Sequence, residues 1–101
     1  METLVRIDFE DIGSYQDFYS KLSEQTELPE WFGNNLDAMY DWVTGIVDLP
    51  LHLVFVNMHP AQLESFEDLL QLLEEAEEET EDFYFSYFMT QYDDSDEATD
   101  F

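Results

Sequence analysis

Leu28-Pro29-Glu30-Trp31-Phe32-Gly33-Asn34-Asn35-Leu36-Asp37-Ala38-Met39-Tyr40-Asp41-Trp42-Val43-Thr44-Gly45 is the stretch from which the rest of the chain can be placed. Leu28-Pro29-Glu30 stops regular structure, because proline has no amide donor and disfavours helical geometry in the residue before it. Gly33 permits a tight turn, and Asn34 or Asn35 can offer a side-chain oxygen to cap a second helix. Leu36, Met39, Tyr40 and Val43 then fall at the spacing of a helix packed on a core. The helix is expected to run to about Thr44 and to end at Gly45.

Upstream, Leu4, Val5, Ile7 and Phe9 alternate with polar residues in a first strand over Thr3 to Phe9, closed by the turn Asp11-Ile12-Gly13. Ser14, with Asp17 three residues on, caps a first helix whose inner face is Tyr15, Phe18, Tyr19 and Leu22. Downstream, Leu51 to Val56 is a nearly continuous apolar run after Pro50, the pattern of a strand buried on both faces. Pro60 opens a helical region, read as one helix or a short and a long one, with Leu63, Phe66, Leu69, Leu70, Leu73 and Ala76 inward. Phe83 to Met89 is a last strand. The order β-α-α-β-α-β predicts an α/β fold, a three-stranded parallel sheet covered by three to four helices.

The 101 residues suit one domain. With 45% hydrophobic and 17% aromatic residues the chain holds too much apolar material for a disordered acidic polymer. Charge is extreme: 26 acids against Arg6 and Lys21, a formal net charge of -24. Such a surface repels nucleic acid and anionic lipid and attracts basic proteins. Solubility alone, or a high-salt cell, would also account for the acidity, but positions nothing. The absence of cysteine excludes disulfides and thiolate chemistry, and no signal-like N-terminus or membrane-length apolar run is present, so a cytoplasmic protein is expected. The segment Asp93 to Phe101 carries five acids and reads as a solvated tail, giving a domain over 1–90 and a tail over 91–101.

Little points to catalysis: there is no glycine-rich phosphate loop, and only two cations could stabilise developing negative charge. His52 lies inside an apolar strand and His59 precedes Pro60, without metal-site spacing, and the acids show no calcium-loop pattern. No catalytic residue, metal or cofactor is expected.

If the second helix starts near Asn35, Asp37 and Asp41 lie one turn apart, with Thr44 continuing their face. An acid in the first turn is stabilised by the helix dipole whatever its function, which accounts for Asp37. Asp41 has no such account, because like charges four residues apart cost a few tenths of a kcal/mol unless a partner uses both. Trp31, Phe32 and Trp42 could serve as interface anchors, though at least one of Trp31 and Phe32 is expected to staple the loop to the core. The run Glu74 to Asp82 reads as a solvated helix end that extends the attractive field.

The quoted stretch resembles the signature of the barstar family of intracellular ribonuclease inhibitors, L-P-x-aromatic-aromatic-G-x-N-L-D-A-hydrophobic-aromatic-D, and the element order over about residues 1–90 agrees. The resemblance implies an immunity-type inhibitor that binds a basic barnase-type ribonuclease one to one, without touching nucleic acid or membrane. It implies Asp41 as the deepest plug of the nuclease site, Asp37 beside it, Trp31, Asn35, Thr44 and Gly45 as rim or loop contacts, and Glu75 as a further acid. Gly33 would let the loop backbone approach the partner. The competing readings are an acidic DNA mimic acting through Glu74 to Asp82 and the tail, and a regulatory domain of a salt-loving cell.

Overall fold

A computed structural model of the chain describes residues 3–90; the tail expected over 91–101 lies outside them. β1 (Thr3–Asp8) runs into a 3-10 turn at Phe9–Asp11 and then α1 (Tyr15–Gln25). α2 (Leu36–Asp41) continues as a π-helical turn over Trp42–Ile46, followed by β2 (Leu51–Met58), α3 (Pro60–Ser65), α4 (Glu67–Glu79) and β3 (Phe83–Met89). The three strands are parallel in the order β1-β2-β3. Thr3, Leu51 and Phe83 share one level of the sheet, Val5, Leu53 and Phe85 the next.

The caps follow local chemistry. Ser14 Oγ accepts from the Asp17 amide at 3.2 Å, while Asp17 Oδ2 accepts from the Gly13 amide at 3.0 Å, one residue earlier than a capping box would reach. The core joins Val5, Ile7, Leu53 and Phe55 of the sheet to Phe18, Leu22, Met39, Val43, Leu69 and Leu73 of the helices. Phe9 sits at its centre, 4.7 Å from the Phe55 ring and edge-on to Phe66 at 5.2 Å. Gln62 ties α3 to the turn after β1: its Nε2 donates to the Phe9 and Ile12 carbonyls at 2.9 and 2.8 Å, and its Oε1 accepts from the His59 amide at 2.8 Å.

Two expectations change. β2 is buried on one face only: Leu51, Leu53, Phe55 and Met58 are enclosed, whereas His52, Val54 and Val56 are half-covered. The buried strand residues all belong to the face that the helices cover, and among the described residues no helix covers the other face of the sheet. The second helix does not end at Gly45, which lies inside the π-turn closed by the Val47 amide on the Trp42 carbonyl at 2.8 Å. Gly33 needs no left-handed backbone; the positive φ of the loop falls on Asn34, at 54°. Both sheet edges are blunted by side chains. Gln25 pairs with the amide and carbonyl of Arg6 on β1, and Glu77 Oε2 accepts from the Phe85 amide on β3 at 3.2 Å.

Candidate functional site: an acidic groove between two helices

The loop before α2 turns where the Phe32 amide meets the Pro29 carbonyl at 3.0 Å. Of its two aromatics, Phe32 packs edge-on against Tyr19 at 5.8 Å, whereas Trp31 is 53% exposed. One ring therefore staples the loop and the other faces solvent. Asn35 is the N-cap of α2: its Oδ1 accepts from the Ala38 amide at 2.8 Å. A Cβ on Gly33 would lie 2.9 Å from Asn35 Nδ2, so the glycine leaves room for the cap.

Ala38, Met39, Trp42 and Val43 form the buried face of this helix, with Leu36 and Tyr40 on its flank. Trp42 is only 2% exposed, and this removes it as an interface anchor. Asp37 and Asp41 are both exposed. Thr44 is half-buried and its Oγ1 donates to the Tyr40 carbonyl at 2.7 Å; Gly45 is exposed one residue on.

Across from this helix lies α4. Asp68, Gln71, Leu72 and Glu75 recur at i, i+3, i+4 and i+7 along it and meet Asp37, Tyr40 and Asp41 in a groove of about 460 Å³. Four carboxylates on two rigid elements thus face one space. Glu75 is singled out from the crowd of acids around it: Glu77 turns toward β3, and Glu79 accepts the Tyr40 hydroxyl proton in a hydrogen bond. That bond, with the negative charges of Glu79, Glu75 and Asp41 around the ring, holds the Tyr40 phenol above its ordinary pKa.

The structure therefore brings Asp37, Asp41 and Glu75 together, sets Asn35 at the start of the same helix and Thr44 and Gly45 at its end, and leaves Trp31 and Gly33 in the loop ahead of it. Sequence reasoning missed Asp68, Gln71, Leu72 and Tyr40 as groove residues. The signal was present as a second stripe on α4, beside the core stripe of Leu69, Leu73 and Ala76.

Elsewhere, His52 Nε2 lies 3.1 Å from Ser86 Oγ within the sheet. Among the described residues no group of three or more His, Cys, Asp or Glu is placed to hold a metal ion, and no helix is long and apolar enough to cross a membrane.

The chain matches the family model described as "Barstar (barnase inhibitor)" over residues 2–90. It is also 38% identical over 79 residues to the "Putative ribonuclease inhibitor YrdF" of Bacillus subtilis (strain 168), an alignment covering 75% of this chain and 87% of that protein.

Proposed function

The chain belongs to the barstar family, and on that premise we propose that it is a non-enzymatic, immunity-type inhibitor that binds a basic barnase-type ribonuclease one to one and closes its active site. The domain over 1–90 is the inhibitory unit, acting in the cytoplasm, and 91–101 is appended to it.

The observation that supports this reading is the groove, where Asp37 and Asp41 from α2 meet Asp68 and Glu75 from α4. A nuclease cleft holds phosphate with Arg and Lys. Carboxylates on rigid helices can take the place of that phosphate through charge-assisted hydrogen bonds, some of them bidentate with arginine. Asp41 acts as the plug and Asp37 as its companion, with Glu75 on the opposite wall. Trp31 supplies an exposed ring at the rim, and Gly33, Asn35, Thr44 and Gly45 supply loop and helix-end contacts. Neither α2 acid is ion-paired within the described residues, so the partner's cations do not have to displace an internal bond.

The test is calorimetric titration of a small panel of barnase-type ribonucleases with the wild-type protein and with Asp37→Ala/Asp41→Ala, alongside RNA-cleavage assays. Tight one-to-one inhibition that the double variant loses is the expected result. Binding that survives the double variant, or inhibition that depends on residues 91–101 instead, would overturn the assignment and favour a diffuse nucleic-acid mimic.

A further inference from the structure

The outer face of the sheet has no role in the site described above. Parallel sheets are ordinarily covered on both faces, yet here Leu4 is 63%, Tyr84 45% and Phe88 57% exposed, with His52 and Val54 half-covered between them. Arg6 stands among these residues, level with Val54 and Ser86. It is one of two basic residues in the chain. Its backbone is tied to Gln25, but its guanidinium forms no ion pair with any described residue. Asp8, two residues on along the same face, accepts from the Glu10 amide and from Asn57 Nδ2 on a single oxygen, Oδ1, and the Arg6 charge contributes to holding its carboxyl below the usual range.

We propose that this face is the docking surface for the chain's own residues 91–101, with Arg6 as the charge anchor and the surrounding apolar patch receiving Tyr92 and Phe101. The segment carries five acids between those two aromatics, the complement of the cation that this face carries beside Leu4, Val54 and Tyr84. It starts in the right place, because the Thr90 amide is bonded to the Met58 carbonyl at 2.8 Å, at the end of β2 and β3. Reach is sufficient. Arg6 is roughly 10 Å across the sheet at about 4.8 Å per strand and about 13 Å back along it. A chain extending about 3.3 Å per residue brings Asp94 to Glu97 over that point with Phe101 to spare. A second copy is the poorer occupant, since each chain carries a formal charge of -24, whereas a tethered segment works at an effective concentration near the millimolar range without any association. The acidic groove is built from helices on the other face and stays open.

The chain has no cysteine, so full-length Ala98→Cys accepts a single nitroxide label, and amide broadening can be read across the whole protein by NMR. The expected result is loss of intensity at Leu4, Arg6, Val54 and Tyr84 relative to α1 and α4, and recovery of that intensity in Arg6→Glu. Phe101→Ser leaves the core untouched and is expected to restore Leu4 and Tyr84. Uniformly weak broadening of the sheet overturns the proposal. So does broadening that persists when label and isotope are on different molecules, which would make the occupant a second copy, and so does broadening indifferent to Arg6→Glu and Phe101→Ser.

Discussion

Replacing Gly33 by alanine tests how the loop sets the helix that carries the site. The glycine has no positive φ, so alanine brings no backbone strain, and lowering the entropy of the unfolded chain should stabilise the protein by about 0.4–1 kcal/mol. Against this, the new Cβ meets Asn35 Nδ2 at 2.9 Å, too close to be accommodated in place. An amide at the end of a side chain can ordinarily swing away, but here its Oδ1 caps α2 through the Ala38 amide, and swinging away breaks the cap at a cost of about 1 kcal/mol. Gly33→Ala should therefore be neutral to destabilising by up to about 0.6 kcal/mol in the wild-type background. In an Asn35→Ala background, where the cap is already lost, the same change should stabilise by about 0.4–1 kcal/mol. Urea unfolding of the four proteins of this cycle, at equal m-values, measures the coupling, expected near 1 kcal/mol. Gly33→Ala with the same effect in both backgrounds would refute the reasoning and return Gly33 to a purely conformational role.

Four further outcomes are expected. Asp41→Ala should weaken ribonuclease binding by several kcal/mol, a size carried over from measurements on the barnase–barstar pair itself, while leaving the unfolding midpoint of the free protein unchanged or higher; a loss below about 1 kcal/mol by calorimetry would remove Asp41 as an anchor. Stopped-flow association should slow with added salt far more than dissociation quickens, because the formal charge of -24 acts at long range; a salt-insensitive on-rate would contradict steering. Tyr19 is buried, its hydroxyl has no hydrogen-bond partner among the described residues, and its pKa is pushed up to about 12. The unfolded chain ionises this phenol near 10, so its contribution is intact below that pH and falls by about 1.4 kcal/mol per unit between about 10 and about 12. Tyr19→Phe should flatten that slope in a thermal-melt series and cost no stability at neutral pH; a clear loss at neutral pH would show that the hydroxyl is satisfied. Gln62→Ala strips the Ile12 carbonyl and the His59 amide of their partner and should cost about 2–3 kcal/mol by denaturant unfolding, against less than about 1 kcal/mol for an exposed glutamine such as Gln16.

Much of the local structure was legible because its causes are local. Ser14 and Asn35 cap their helices through amides three residues ahead, and Pro29 lies in the irregular stretch between α1 and α2. The order of strands and helices sufficed for a parallel sheet, since a parallel neighbour needs a long crossover. The pairing of Asp37 with Asp41 followed from helical periodicity alone.

Other features needed the assembled molecule. Spacing could not distinguish the stripe Leu36, Met39, Tyr40, Val43 from its neighbour Ala38, Met39, Trp42, Val43, because rotating a short helix by part of a turn exchanges them. Phe32 packed on Tyr19 and α4 packed alongside select the second, which buries Trp42 and puts Tyr40 at the groove. Among Glu74, Glu75, Glu77, Glu78 and Glu79, composition offers no reason to prefer one. Each side chain's direction on α4 decides: Glu75 into the groove, Glu77 to the sheet edge, Glu79 to the Tyr40 hydroxyl. The open side of the sheet was hidden for a similar reason, since Leu51 to Val56 is apolar on both faces but only one face has helices to cover it. What the sequence determined by itself was the set of elements, their caps and an acidic helix, all properties of neighbours within a few residues. The tertiary structure alone decided which acids converge and which apolar face of the sheet the helices leave uncovered, because both depend on how elements far apart in the chain are rotated against each other.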